Sequence, residues 1–324
     1  MKLTKKSWTG LLLIAATSLL QGCNSGDKSE ASGVSQTLEK PITIEHELGT
    51  AVIKHRPQRV AALDMNEVDF LDQLNIPIAG MVKDYIPHYL SQYKDRDDIE
   101  DLGAIVQPNM ERVHMMKPDL ILMTPLHNAQ YQELSEIAPT LHFDDSIEHH
   151  IEKVEVHLLT LGRIFDKEAL AQEKVDHLEA HVKQVQELAQ SRPEKALVVL
   201  HNNGSFRNLG PHSRYGFIFE ELGVKPASSA NEASLHGQPI SSEFIQNADP
   251  DILYIVDRTA VMERQATIRP NDISNPLLRQ TKAWKNGHVV FVDAHAWYIA
   301  ASSPSAIEIM LDDIAKGYQE QSQI

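Results

Sequence analysis

The segments 109–124, "NMERVHMMKPDLILMT", and 241–256, "SSEFIQNADPDILYIV", share one plan. Each begins with a short stretch of helical spacing that carries an acidic residue, Glu111 or Glu243, continues to a Pro-Asp pair, and ends in an apolar run. This order predicts a short helix, a tight turn and a strand that is buried on both faces. A plan that occurs twice in one chain indicates two lobes of similar structure.

The sequence upstream of each copy also corresponds. The stretches "RVAALDMNEVDFLDQLNIP" from Arg59 and "ALVVLHNNGSFRNLGPHSRYGFIFEELGVKP" from Ala196 each predict a strand, a polar loop, a helix that ends at Leu-Asn or Leu-Gly, and the start of another strand. Strands that alternate with helices favour an α/β unit with a mainly parallel sheet. We therefore expect an N-terminal α/β lobe at residues 41–145 and a C-terminal α/β lobe at residues 193–324.

Residues 146–192 are predicted to form a helical connector between the lobes, because they contain one glycine, no proline, and apolar residues at helical spacing. The helical pattern is interrupted near Asp166. The predicted fold class is α/β, with two Rossmann-like lobes of mainly parallel sheets bridged by a long α-helix. Ligands of such sheets bind beyond the carboxyl ends of the strands, so the cleft between the lobes is the expected binding site.

Several of the 16 histidines belong to this connector rather than to predicted cleft loops. A protein that binds free zinc or manganese would need three or four converging histidine and carboxylate ligands, which this placement does not favour. We expect the connector histidines to lie on solvated helix faces. They are His149, His150, His157, His177 and His181.

Residues 1–22 have the form of a lipoprotein signal peptide. Lysines precede an apolar core, "GLLLIAATSLL", that is too short for an ordinary membrane span, and "LLQGC" follows. Cys23 is the only cysteine and lies where lipidation requires it, so we expect no disulfide within the chain. Residues 23–40 are small and polar, which predicts a flexible tether between a membrane anchor and the lobes.

The net negative charge of the chain limits the classes of partner that it can bind. A net charge of −15 becomes −18 once the three lysines of the signal are removed, which disfavours nucleic acid and anionic lipid as partners of the surface as a whole. The sequence contains no G-x-S-x-G elbow, no phosphate-binding P-loop and no G-x-G-x-x-G. These absences favour a binding protein over an enzyme. A lipid-anchored hydrolase that uses serine and histidine is the alternative from another class.

Two arginines follow predicted strands in the second lobe. Arg258 comes directly after "ILYIVD", and Arg214 lies in "GPHSRYG", the loop after "ALVVL". Two cations at the mouth of a cleft would attract an anionic ligand, unless each is neutralised by a nearby carboxylate such as Asp257. His236, in "SLHGQPIS", lies 22 residues from each arginine and fits either a metal ligand or an exposed loop histidine.

The lipobox, the helical connector and the segments "SRYGFIFEELGV", "HGQPISSEFI", "DPDILYIVDR" and "WY" together resemble the class III substrate-binding proteins of ABC importers. Within that class the resemblance is closest to the ferric-siderophore binders of the FatB and CeuE type. It implies a monomeric protein, lipid-anchored in the periplasm or cell envelope, with no permanently bound cofactor. Such a protein binds Fe³⁺ as a catecholate or mixed catecholate siderophore complex and delivers it to an inner-membrane ABC permease with its ATPase.

The resemblance also implies roles for individual residues. Arg214 and Arg258 match arginines that contact the anionic iron-chelating groups. His236 and Tyr298 match residues that coordinate Fe³⁺ when a tetradentate siderophore leaves two positions open, which suits the preference of Fe³⁺ for hard oxygen and imidazole donors. His295 is the alternative to Tyr298.

Further residues are assigned by the same resemblance. Trp297 and Tyr85 are expected to lie against aromatic parts of the ligand. Glu111 and Glu243 match the glutamates that dock on the permease, one on each lobe.

One position departs from the family pattern. Leu126 stands where relatives usually place an arginine, so a less charged, mixed-donor chelate is expected rather than a full tris-catecholate. His127 or Arg207 would be the replacement, although Arg207 fits a solvated loop equally well. Haem, cobalamin and free metal ions are the alternative ligands within the class.

Overall fold

The computed structural model describes residues 37–228, 234–268, 273 and 275–319. The predicted signal peptide and Cys23 lie outside these ranges. The predicted tether extends too far, because Thr37–Lys40 already belong to the first strand, where Thr37 pairs with His55. Within the described ranges, no helix has both the length and the apolar character needed to cross a bilayer.

The first lobe is built on a parallel sheet. Its described strands are β1 Thr37–His46, β2 Gly49–His55, β3 Val60–Ala62, β4 Gly80–Met81, β5 Glu100–Asp101, β6 Gly103–Ala104, β7 Gln107–Pro108, β8 Leu120–Met123 and β9 Thr140–His142. Its helices are α1 Met65–Gln73, α2 Met110–Met116 and α3 Tyr131–Ile137, with 3₁₀ turns at His88–Tyr93 and Pro125–Gln130. The sheet order is β5-β4-β3-β8-β9, with all neighbours parallel, while β1–β2 and β6–β7 form separate antiparallel hairpins.

The connector is a pair of packed helices, α4 His150–Phe165 and α5 Glu168–Ser191, rather than one long helix. The break near Asp166 is confirmed: this residue has a left-handed backbone, with φ of 60°, and its N–H donates to the carbonyl of Gly162. Gly162 lets the helices approach closely, because a Cβ there would lie 2.6 Å from the Cβ of Ala171. The chain therefore turns back on itself before it enters the second lobe.

Two connector histidines are buried, which contradicts the expectation of solvated faces. His150 stacks on Phe217 with ring centroids 4.7 Å apart, and its Nε2–H donates to the carbonyl of Ala301 at 3.1 Å. His157 donates from Nε2 to the buried carboxylate of Glu67 at 2.9 Å. The error has a simple cause, since both histidines lie on the stripe of the helix that also carries its apolar residues.

The second lobe has a mixed sheet. Its described strands are β10 Lys195–Asn202, β11 Ser205–Asn208, β12 Lys225–Pro226, β13 Gln238–Ile240, β14 Ile252–Asp257 and β15 Val289–Phe291. Its helices are α6 Gly216–Glu220, α7 Ser242–Ala248, α8 Arg258–Met262, α9 Lys282–Lys285, α10 Ala294–Tyr298 and α11 Pro304–Gly317, with a 3₁₀ turn at Leu278–Gln280. Strands β12 and β14 pair with β10 in parallel, and β15 pairs with β14 in parallel. Strand β11 pairs antiparallel with both β10 and β13, so β11 and β13 form an antiparallel edge.

The antiparallel edge arises from an Asn203-Gly204 turn, in which both residues have positive φ, 47° and 81°. Such a turn joins two antiparallel strands with the correct twist, and it converts the predicted polar loop into strand β11. The fold class of two α/β lobes with mainly parallel sheets is confirmed, with this edge as an addition.

The sequence repeat is confirmed in structural detail. The short helices α2 and α7 begin at side-chain caps, Asn109 and Ser241, and both end at a left-handed residue before the Pro-Asp pair. The carboxylate of Asp119 accepts from the backbone N–H of Arg59 at 2.8 Å, and that of Asp251 accepts from Lys195 at 3.0 Å. Each aspartate therefore fixes the start of the neighbouring strand, β3 or β10.

The lobes are joined directly through α1 and α11. The fully buried carboxylate of Asp69 on α1 accepts from the backbone N–H and the hydroxyl of Ser305, at 2.8 and 2.6 Å. Asn66 accepts from the backbone N–H of Ser302 at 3.0 Å. Burial raises the pKa of Asp69 to about 6. The last helix of the second lobe is thus fastened to the first helix of the first lobe.

Candidate ligand-binding site

Charged and aromatic side chains converge at the carboxyl edge of the second-lobe sheet. They line a cavity of about 340 Å³. Its lining residues come from β10, β11, α8, α10 and the loops between them: Leu200, Asn202, Arg207, Leu209, Arg214, Tyr215, His236, Arg258 and Tyr298. The cavity therefore contains both predicted arginines and both predicted iron ligands.

Arg258 is positioned by the end of β14. The preceding residue, Asp257, is paired with His201 across the sheet, so Arg258 emerges next to Asn202 at the end of β10. Its Nη1 donates to Oδ1 of Asn202 at 3.1 Å, and its Nε donates to the hydroxyl oxygen of Tyr298 at 2.6 Å. The guanidinium is half-buried and held at two points, which fixes the direction of its remaining N–H groups.

Arg214 also packs against Tyr298. Its guanidinium carbon is 5.6 Å from the centroid of the Tyr298 ring, and that of Arg258 is 5.4 Å away. Its Nη2 donates to the backbone carbonyl of Tyr298 at 3.4 Å. Two cations against one phenol ring are favourable because the ring face is electron-rich.

Arg207 and His236 come from the antiparallel edge. Arg207 on β11 donates from Nε and Nη2 to the backbone carbonyls of His236 and Gly237, at 2.8 and 2.5 Å. Only glycine fits at position 237, because φ of Gly237 is 69° and a Cβ there would lie 2.4 Å from the carbonyl oxygen of Asn208. The backbone of His236 is thus held in place, while its side chain is exposed at the cavity.

Among the residues described, none of the three cavity arginines forms an ion pair with a carboxylate. Asp257, the expected neutralising group, instead accepts from the backbone N–H groups of Ala260 and Ile268 and from His201. Asp145 is a buried acidic side chain whose pKa is raised by burial and lowered by the charge of Arg214. The three cavity arginines therefore have no ion-pair partner among the described carboxylates, which favours an anionic ligand.

The expectation for Trp297 is wrong. Its side chain is 0 % exposed, it packs against Tyr215 and Tyr254, and its indole N–H donates to Asp313 at 3.0 Å. Neighbouring residues on a helix point about 100° apart, so α10 directs Tyr298 into the cavity and Trp297 into the core. Trp297 packs in the core next to the cavity wall and cannot contact a ligand in the cavity.

The first lobe contributes less charge to the cleft. Tyr85 is half-buried, and the guanidinium carbon of Arg264 from the second lobe lies 5.7 Å from its ring centroid, so Tyr85 stands at the boundary between the lobes. Leu126 is 53 % exposed in the 3₁₀ turn after β8. His127 cannot replace the missing arginine, because it is fully buried and donates from Nε2 to the carbonyl of Ile105 at 2.8 Å. Its pKa is lowered by burial, which keeps it neutral.

The remaining predicted residues lie outside the cavity. Glu111 and Glu243 are exposed in the first turns of α2 and α7, at equivalent positions of the repeat. His295 is half-buried on α10, with its ring centroid 5.9 Å from that of His88 in the first lobe. Burial lowers the pKa of His295.

Five cavity residues have no firm prediction from the sequence: Leu200, Asn202, Arg207, Leu209 and Tyr215. Asn202 was not singled out, although its place at the end of a strand paired with β14 was a usable signal. Arg207 fits two interpretations from the sequence alone, and the signal that favours a strand at Arg207 is the Asn203-Gly204 pair, which is typical of a hairpin turn.

Comparison with known proteins agrees with this architecture. The family model described as "Periplasmic binding protein" matches residues 60–296. The chain is 62 % identical over 304 residues to the ferric-anguibactin-binding protein FatB of Vibrio anguillarum, a match that covers 93 % of this chain and 94 % of FatB. It is 33 % identical over 316 residues to the petrobactin-binding protein YclQ of Bacillus subtilis, covering 96 % and 98 % of the two chains.

A solved structure shows the same fold. The siderophore-binding protein BauB, bound to a complex of two acinetobactin molecules and ferric iron, superimposes with a TM-score of 0.84 at 63 % identity. The match covers 87 % of this chain and all of BauB. The lobes, the repeat and these likenesses lead to one assignment: the chain belongs to the periplasmic binding protein family.

Proposed function

We propose that this protein binds a ferric siderophore in the cavity around Tyr298 and delivers it to an ABC permease. One observation carries the proposal: three arginines line one cavity with Tyr298, Arg258 donates to the hydroxyl of that tyrosine, and no described carboxylate forms an ion pair with any of the three. Such a cavity suits the anionic oxygens of an iron chelate, for which arginine forks are well matched. The names of FatB, YclQ and BauB, which describe binding proteins rather than enzymes, support the same function.

The preferred ligand is a chelate of modest negative charge. Leu126 brings no cation from the first lobe, His127 is buried and neutral, and the positive groups all come from the second lobe. A mixed-donor siderophore therefore suits the site better than a hexadentate tris-catecholate. The stoichiometry of two acinetobactin molecules to one iron in BauB supports a ligand that does not fill the iron's coordination sphere alone.

His236 and Tyr298 are proposed as conditional iron ligands. Both line the cavity, the backbone of His236 is fixed by Arg207, and the hydroxyl of Tyr298 is fixed by Arg258. A phenol oxygen and an imidazole nitrogen are acceptable donors for Fe³⁺. They would bind iron when the siderophore leaves positions open, and they would remain unused when it does not.

The remaining parts of the proposal concern the membrane. Lipidation of Cys23 would anchor the protein at the membrane surface in the periplasm or cell envelope. Glu111 and Glu243 would dock on the permease, since each lobe presents one exposed glutamate at an equivalent helix start.

The test is a titration of the mature protein with a panel of ferric chelates. Binding is measured by the quenching of the fluorescence of Trp284 and Trp297. We expect at least one tetradentate chelate to bind with a Kd below about 10 µM, which corresponds to roughly −7 kcal/mol. The same siderophores without iron serve as the control and should bind more weakly. The proposal is overturned if no ferric chelate in the panel reaches that affinity.

A further inference from the structure

A second group of potential metal ligands, His88, Asp293 and His295, lies at the boundary between the lobes. His88 begins the 3₁₀ turn His88–Tyr93 of the first lobe, and Asp293 and His295 follow β15 in the second lobe. One ligand atom from each of the three lies within 4.8 Å of the others. None of them lines the arginine cavity, so they form a separate cluster.

The aspartate of this cluster is oriented by the fold. Oδ1 of Asp293 accepts the backbone N–H of Ala296 at 2.9 Å and so caps α10, while its own N–H donates to Asp313 at 2.8 Å. The second oxygen, Oδ2, faces Nε2 of His88 at 3.5 Å. A ligand whose orientation is fixed by such neighbouring bonds loses little entropy when it binds a metal.

The two histidines complete a donor set that is characteristic of zinc. Two imidazoles and one carboxylate, with room for water as a fourth ligand, form a common tetrahedral Zn²⁺ arrangement. Mg²⁺ and Ca²⁺ prefer sites made of oxygen alone, so this cluster does not suit them. His88 is exposed, whereas Asp293 and His295 are half-buried, so an ion could enter from the solvent side.

We propose that His88, Asp293 and His295 form a Zn²⁺ site that ties the first lobe to the second. The ion would add a direct bond between lobes that are otherwise fastened through Asp69 and Ser305. Because α10 also carries Tyr298, three residues after His295, the same bond would hold the wall of the siderophore cavity against the first lobe.

The site can be tested without any siderophore. Tag-free mature protein, stripped of metal, would be titrated with Zn²⁺ in competition with a fluorescent zinc chelator. We expect one equivalent to bind, and we expect His88→Ala and Asp293→Asn each to weaken binding by about tenfold or more. His88 is exposed, and asparagine preserves the helix cap, so both variants should fold. Zinc should raise the Tm of the wild type and leave that of His88→Ala unchanged.

Two controls locate the ion. His177→Ala removes an exposed histidine that contacts Glu308 on another surface, and Tyr298→Phe alters the siderophore cavity; neither should change zinc binding. The inference is overturned if Zn²⁺ does not bind or if His88→Ala and Asp293→Asn bind it as the wild type does. In either case His88 and Asp293 make only a direct polar contact between the lobes, at 3.5 Å.

Discussion

Nε of Arg258 donates a hydrogen bond to the hydroxyl oxygen of Tyr298 at 2.6 Å, across 40 residues of sequence. This contact joins the end of β14 to α10, so the residue that carries the charge and the residue that offers a hard oxygen are fixed relative to one another. A chelate that reaches this pair meets a cation and a donor atom whose geometry is already set, which reduces the entropic cost of binding.

Replacing Arg258 should therefore weaken siderophore binding strongly. We expect Arg258→Ala to lower the affinity for a ferric chelate by about 10- to 100-fold, because a charge-assisted hydrogen bond contributes about 1.5–3 kcal/mol. Arg258→Lys keeps the charge and loses the planar fork, so an intermediate loss is expected. Isothermal titration calorimetry measures both effects. Arg96→Ala is the matched control, since Arg96 is exposed and paired with Asp98 in the first lobe. Equal affinities of the Arg258→Ala and Arg96→Ala variants would contradict a role for Arg258.

The conditional role of His236 gives a prediction that depends on the ligand. His236→Ala should weaken binding of a tetradentate ferric chelate by about tenfold or more, since loss of a group that merely supports a metal ligand already costs about 10- to 100-fold. A hexadentate chelate fills the iron by itself and should bind almost unchanged. Calorimetry with one chelate of each kind separates the two cases. His212→Ala, an exposed loop histidine beside Glu220, is the control. Equal losses for both chelates would show that His236 does not coordinate iron.

The charge deficit of the first lobe can be tested by restoring it. Leu126→Arg adds a cation at the carboxyl end of β8, where 53 % exposure leaves room for the longer side chain. We expect tighter binding of a tris-catecholate ferric chelate by about 1 kcal/mol, roughly fivefold, and a smaller gain for a less charged chelate. The gain should shrink as salt is added.

Met115→Arg is the matched control for that experiment, because Met115 is 71 % exposed on α2 and the substitution adds the same charge away from β8. If both substitutions raise the affinity equally, net charge alone explains the effect and the position of Leu126 has no special importance.

Much of the fold follows from local sequence. The Pro-Asp pairs after α2 and α7 predicted two matching units, and the structure shows why the pattern is so clear: Asp119 and Asp251 each bind the backbone at the start of a neighbouring strand. Arg258 was equally accessible to prediction, because a residue directly after a buried parallel strand must lie at the carboxyl edge of the sheet.

Other parts of the site depend on packing that no short stretch encodes. The sequence "AWY" does not reveal which aromatic side chain points inward, since that depends on where Tyr215 and Tyr254 supply a core for Trp297. The proximity of His88 and Asp293 is harder still to predict from sequence, because these residues are far apart in the chain and meet only where the lobes touch.

The buried histidine of the connector predicts how stability depends on pH. Burial against Phe217 lowers the pKa of His150 to about 4, from 6.5 in the unfolded chain, and this effect outweighs the hydrogen bond to the carbonyl of Ala301, which raises the pKa. Above pH 6.5 both states hold the neutral ring and the stability is fully present. Between pH 6.5 and 4 the unfolded chain binds the proton first, so the free energy of unfolding should fall by about 3 kcal/mol as the pH decreases.

Urea unfolding at about pH 7.5 and about pH 4.5 measures this loss. In His150→Gln the side chain no longer titrates, so we expect a variant that is less stable than the wild type at the higher pH, with most of that difference gone at the lower pH. His149→Asn is the matched control. His149 precedes His150 in the chain, its side chain is 76 % exposed, and its left-handed backbone is tolerated by asparagine. This control should keep the pH dependence of the wild type. An unchanged pH dependence in His150→Gln would mean that other groups cause the acid sensitivity and that the connector helix does not hold His150 in its neutral form.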